Sequence, residues 1–209
     1  MMLQDGALPG RHVGRAWVVP AEAVAQLASR QVGAGRPLAP LRAWALLDML
    51  DGGTAPWVAP VARSQVRAQM RRLKGADPDA WWASLRGREA RLAVSGHRAA
   101  IARLSEAAAV WPAGSGTARA AGADLVVVAA IPEFYLPAER WSELQPQLRL
   151  STAPGQPDAY VRVPRGRWPF GPAGPGRAAL AASLLDGGDC RAARAGADIL
   201  NELAGEALR

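Results

Sequence analysis

Cysteine occurs once in this 209-residue chain, at Cys190. A single thiol excludes an internal disulfide framework and any cysteine-built zinc cluster. Histidine is confined to His12 and His97, which leaves little for a metal site, and no cofactor is expected. Among the 25 basic residues only Lys74 is a lysine, so a phosphate-binding loop would have to be built on that one residue. No apolar run approaches the roughly 18 residues that a membrane span requires. The opening Met1-Met2-Leu3-Gln4-Asp5-Gly6 lacks a basic stretch followed by an apolar one, so no signal peptide is expected. The chain reads as cytoplasmic, with no membrane partner.

What is there is ordinary globular composition, half of it hydrophobic and 21% charged. The length suits one large or two small domains. The 25 basic residues against 18 acidic ones give +7, a balance that points to a polyanionic partner. Arginine and alanine both have GC-rich codons, so the total alone is ambiguous. Its distribution is more informative. Residues 1–110 hold 15 basic and 8 acidic side chains, and residues 111–209 hold 10 of each. Codon drift would not also remove acidic neighbours from one half, so the asymmetry favours a basic working surface there.

Along the chain, RHVGRAWVV (11–19) predicts two short strands around Gly14-Arg15. Pro20 then opens a helix carrying Val24 and Leu27 on one face. Residues 31–40 are a Gly/Pro linker. Leu41 to Leu50 predicts an apolar helix with Trp44, Leu47 and Leu50 at helical spacing, stopped at Asp51-Gly52-Gly53. Val61 to Lys74 predicts an amphipathic one. Val66, Met70 and Leu73 share one face, while Arg63, Arg67, Arg71 and Lys74 share another, with Arg72 beside them. Asp77 and Pro78 have the right order to cap and open a third helix through Trp81, Trp82 and Leu85. A strand at Arg91–Val94 completes a winged-helix-like order. Further strands are expected at Asp124–Ala130, Leu148–Leu150 and Ala159–Val163, with a short helix from Pro137. Residues 164–176 are too rich in Pro and Gly for regular structure, and two helices close the chain around Asp186–Asp189.

Enzymatic constellations fare poorly. Gly114-Ser115-Gly116 lacks the Lys-Ser/Thr of a phosphate loop and reads as a turn. Ser95 and His97 have no nucleophile-elbow sequence around them, and His97 is better placed to begin a helix. Nothing in the spacing of Asp124, Glu133 and Glu139 brings them together. Cys190 reads as an incidental thiol near a helix start. The chain is therefore not expected to be an enzyme. Nucleic-acid contacts are better supported. Arg15 at a hairpin tip, flanked by Arg11 and His12, is placed to meet a phosphate or a minor groove. The Arg63/Arg67/Arg71/Arg72/Lys74 stripe is either a phosphate-tracking face or a plain solvated one.

Residues 3–27, LQDGALPGRHVGRAWVVPAEAVAQL, resemble the tail and wing of excisionase-type helix-turn-helix domains. Gly6, Leu8, Pro9, Arg11, Val13, Gly14, Arg15 and Trp17 match that pattern, which implies phosphate contacts at Arg11 and Arg15. Met1 and Met2 stand where the recognition helix of such a module would be ending, so the reading helix is expected to be missing from this sequence. Residues 36–205 resemble AbiEi-like antitoxins of type IV toxin–antitoxin systems. The stretches that carry this include RPLAPLRAWALLDML, SQVRAQMRRLKGADPDA, PEFYLPAERWSEL and ALAASLLDGGDCRAARAGADILNEL. The resemblance implies a DNA-binding autorepressor that counteracts a nucleotidyltransferase toxin.

The expectation is thus an α+β protein in four parts. These are a truncated wing with its helix (1–30), a linker (31–40), a basic helical region (41–110) and a mixed α/β region (111–209). Its expected function is transcriptional regulation of the antitoxin type through DNA. The alternative is a protein-interaction module that uses the neutral C-terminal half.

Overall fold

The computed structural model describes residues 11–13, 16–18, 36–125, 130–152, 157–187 and 189–209. β1 (Arg11–Val13) and β2 (Ala16–Val18) pair antiparallel, with Arg11 opposite Val18 and His12 opposite Trp17. This is the hairpin that the sequence predicts. Gly14, Arg15 and the helix expected after Pro20 lie outside the described residues.

Three proline-led helices follow. α1 (Pro40–Leu50) and α2 (Pro60–Leu73) each begin on proline, which tolerates the unsatisfied first turn. α3 (Pro78–Leu85) adds a side-chain cap: Asp77 accepts a hydrogen bond from the Ala80 amide at 2.8 Å. α1 is the most enclosed of the three, with Ala43 through Leu47 at most 2% exposed. α2 is amphipathic as expected, burying Val66, Met70 and Leu73.

β3 (Glu89–Val94), β4 (Trp111–Ala113), β5 (Glu133–Tyr135) and β6 (Ala159–Pro164) form a mixed sheet in the order β3-β6-β5-β4. β3 runs antiparallel to β6, β6 parallel to β5, and β5 antiparallel to β4. The strand after the three helices therefore pairs with one about 70 residues later, and the sheet draws on both sides of residue 110. α4 (Arg98–Glu106) starts at His97, whose Nδ1 accepts from the Ala99 amide at 3.2 Å. Gly114-Ser115-Gly116 falls in one 3₁₀ turn leading into α5 (Ala118–Ala121). α6 (Ala138–Gln147), α7 (Arg177–Leu184) and α8 (Cys190–Ala207) complete the set. The described residues thus form an α+β fold of eight α-helices and this four-stranded sheet, beside the β1–β2 hairpin.

Two sequence expectations change. Leu148–Leu150 is not a strand: the chain turns out of α6 with Arg149 at φ +52°, and Leu150 is buried instead of paired. The neighbouring Ser151 alone bridges to Ser95. At Asp124–Ala130, residues 124, 125 and 130 are irregular, and 126–129 lie outside the described residues.

The sheet separates two apolar cores. Alternation along each strand sends successive side chains to opposite faces. Val94, Phe134, Ala159 and Val161 join Leu104, Trp141 and Leu144 in the smaller core, with α4 and α6. Tyr135 joins the larger core with α1, α2, α3, α7 and α8. α7 and α8 approach closely at Gly196, where an added Cβ would come within 2.5 Å of the Ala181 carbonyl oxygen. Among the described residues no helix is long and apolar enough to cross a membrane.

Candidate nucleic-acid interface

The α2 sequence PVARSQVRAQMRRL contains no acidic residue. Its apolar face faces inward, so its cations must face out. Arg67, Arg71, Arg72 and Lys74 are exposed, and Arg63 is half-buried with Nη1 3.5 Å from the Thr54 carbonyl oxygen. None of the five has a carboxylate within 4.0 Å among the described residues. Arg71 and Arg72 also lie in the last turn, where the negative end of the helix dipole favours cations.

The C-terminal end of this helix is held firmly. Asn201 on α8 accepts hydrogen bonds from the Gly75 amide and from Trp81 Nε1, both at 2.9 Å. Its amide donates to the Ala76 carbonyl at 3.0 Å. One side chain thus ties the turn after α2 and the buried Trp81 of α3 to the last helix. This fixes the direction in which the basic face points.

A cleft of about 490 Å³ lies at the foot of this face. Arg67, Asp51 and Glu206 line it together with the apolar Met49, Leu50, Met70 and Leu203. Asp51 also caps α7, with Oδ1 accepting from the Ala178 amide at 2.8 Å. Its surroundings push the carboxyl up to about 6: desolvation and the neighbouring Asp48 outweigh the Ala178 hydrogen bond and Arg177. The residue nonetheless remains solvent-exposed, so it titrates in contact with water. Arg177 is held by Glu202 at 2.9 Å and by the Ala121 carbonyl at 3.0 Å.

Of the other sequence-derived contact residues, Arg11 and His12 lie on β1, and Arg15 is outside the described residues. Asp124 and Glu139 are exposed, whereas Glu133 is buried.

Glu133 belongs to a charge cluster that the sequence reading missed. Alternation on β3, β5 and β6 puts Glu89, Arg91, Glu133 and Arg162 on the sheet face that meets α7. Arg162 is fully buried. Its Nε donates to Glu133 Oε2 and its Nη1 to Asp186 Oδ2, each at 2.7 Å, and Nη1 also reaches Glu89. Arg88, 1% exposed, donates to Asp186 Oδ2 at 2.7 Å and to Glu89 Oε1 at 3.1 Å. Arg91 donates to Glu133 Oε1 at 2.9 Å and stacks on Tyr160, 3.4 Å from the ring centre. Three guanidinium groups thus face three carboxylates. Burial alone would raise the carboxylate pKa values, but Arg162 and Arg91 hold Glu133 below its ordinary range. Arg88 and Arg162 likewise hold Asp186 down. The missed signal was a charge on alternate residues of otherwise apolar strands: Glu89 and Arg91 in EARLAV, and Arg162 in AYVRVP.

No protein-family model, no curated protein and no solved structure matches this chain.

Proposed function

We propose that this chain binds DNA as a transcriptional regulator of the antitoxin type. The observation that carries the reading is the α2 face: five cations between Arg63 and Lys74, with no acidic residue on the helix and no ion-pair partner among the described residues. Unpaired cations spaced along a rigid rod suit a phosphate backbone, because each contact releases a condensed counterion. In this reading the β1–β2 hairpin serves as a wing, with Arg11, His12 and Arg15 adding phosphate contacts. The resemblance to AbiEi-like antitoxins supplies the finer role, autorepression of an operon that also encodes a nucleotidyltransferase toxin. Such contacts position a protein on DNA without reading sequence, so specificity calls for base contacts beyond the stripe.

The test is an electrophoretic shift on the DNA upstream of its own gene, repeated across a salt series. The expected result is a shift at low salt that weakens steeply as salt rises. Five phosphate contacts from the Arg63–Lys74 stripe give a slope of about −4.5 in log K against log salt. No shift at low salt overturns the reading. Co-purification with a neighbouring gene product, without any shift, would favour the protein-interaction alternative.

A further inference from the structure

A second set of unmatched cations lies beyond the N-terminal end of α2. After β6 the chain turns back onto the start of α1. A Cβ built on Gly166 would meet Leu41 Cδ2 at 3.2 Å and Pro40 Cβ at 3.9 Å. The Arg165 amide donates to the Arg88 carbonyl at 2.9 Å, which fixes this turn. Arg165 and Arg167 flank Gly166, and Arg42 follows Leu41. All three arginines are exposed, and none has a carboxylate within 4.0 Å among the described residues. The stretches that build this corner, residues 36–47, 54–60 and 164–176, contain no Asp or Glu. Arg167 is held ready for an anion. Its Cζ lies 4.5 Å over the centre of the Trp57 ring, and its Nε donates to the Trp168 carbonyl at 3.2 Å. Its two Nη groups have no partner among the described residues. A planar fork fixed in this way loses little freedom when it takes a phosphate.

This corner meets the α2 stripe at the loop 54–58. Arg63, the first cation of the stripe, places Nη1 3.5 Å from the Thr54 carbonyl oxygen, and Arg167 covers Trp57. Thr54 and Trp57 are three residues apart, at most about 11 Å along the chain. The Val58 amide donates to the Ala55 carbonyl at 3.2 Å and tightens the loop into a turn. Asp48 touches the same loop, but its Oδ2 accepts from the Ala55 amide at 2.8 Å and the residue is half-buried. We infer that Arg42, Arg165 and Arg167 extend the α2 stripe into one phosphate-contacting track. A nucleic-acid backbone then crosses from α2 over the loop 54–58 onto the corner where β6 meets α1. The α2 stripe covers about 16 Å from Arg63 to Lys74, and the corner lengthens the contact beyond its Arg63 end. Three further phosphate contacts steepen the salt slope by about 2.7, and they do so without reading sequence. The inference rests on the DNA-binding reading for the identity of the polyanion, and adds to it a contact region on other elements of the fold.

Electrophoretic shifts of the full chain on the duplex upstream of its own gene, repeated across a salt series, test the track. Arg42→Gln, Arg165→Gln and Arg167→Gln combined are expected to flatten the slope of log K against log salt by about 2.7. A control triple removes the same charge from the side of the smaller core: Arg98→Gln and Arg103→Gln on α4, with Arg149→Gln just after α6. These three positions are exposed, and the control is expected to change the slope by about 0.5 or less. Arg42→Gln by itself disturbs neither the Trp57 stack nor the Arg88 hydrogen bond. It is expected to remove about 0.9 of slope with an unchanged melting temperature. A wild-type shift whose slope the corner triple leaves untouched overturns the track and leaves the DNA-binding reading standing. Equal flattening by both triples makes the effect one of net charge and also overturns the track. No shift by the wild-type chain at low salt overturns the DNA-binding reading and the track with it.

Discussion

Arg71 and Arg162 carry the same guanidinium in opposite surroundings. Arg71 lies on a helix with no acidic residue and faces water. Arg162 is fully buried and meets Glu133, Glu89 and Asp186. Water solvates the first, so its charge costs the fold little and is free to meet a partner. The second would be prohibitive to bury alone, since desolvating one ion costs several kcal/mol. Three carboxylates and the Ser183 carbonyl, 3.1 Å from Nη2, offset that cost. The contrast shows that net charge is a poor guide to function until the counter-charges have been located. The +7 of the chain is carried by cations like Arg71, while the cluster around Arg162 contributes three charges of each sign.

The sharpest way to break this contrast is to remove the buried arginine. Arg162→Met leaves Glu133, Glu89 and Asp186 crowded and short of counter-charge, and should destabilise the fold by about 3–5 kcal/mol in urea unfolding. A loss under 1 kcal/mol would mean that the cluster is dispensable. Acid probes the same region from the carboxylate side. Glu133 and Asp186 have lowered values in the folded protein, so their contribution is present above the ordinary carboxylate range, about pH 4. It is lost as pH falls below that range toward their folded values. The melting temperature should therefore drop on acidification below about pH 4, and should drop less in Arg162→Met.

Asn201 holds the end of the basic helix against α8. Asn201→Ala leaves Trp81 Nε1 without its partner and should cost about 1–3 kcal/mol, read by thermal unfolding. It should also weaken DNA binding modestly by loosening the turn after Lys74. On stability, the basic face should give the smallest effect. Arg67→Gln, Arg71→Gln and Lys74→Gln combined should change it by about 0.5 kcal/mol or less per site. The same triple variant should flatten the salt dependence of DNA binding by about 2.7 in slope. An unchanged slope would make the stripe a merely solvated face.

The α2 face was legible in the sequence because a helix of known period sorts its residues by face without outside help. Val66, Met70 and Leu73 went in, and the cations went out. Caps at Asp77 and His97 were legible for a similar reason, since each acts within three residues of itself. The arginine–carboxylate cluster was not legible. Arg91 and Glu133 are 42 residues apart, and Glu89 and Arg162 are 73 apart. Only the pairing of β3 with β6, and of β6 with β5, brings them together. Asp51 shows the same limit. In sequence it stops α1, whereas in the fold it caps α7 across 127 residues and lines the cleft. Leu148–Leu150 failed as a strand because three residues of apolar–charged–apolar alternation serve equally well as a turn that buries Leu150.

What the sequence determined by itself is the local order: which segments are helices, which face of each is apolar, and where unbalanced positive charge accumulates. These follow from contacts three or four residues apart and from alternation along a strand. The tertiary structure alone decided which arginines are matched and which remain open to a partner. Long-range strand pairing sets the neighbours of a buried charge, and a charge can stay buried only where such neighbours exist.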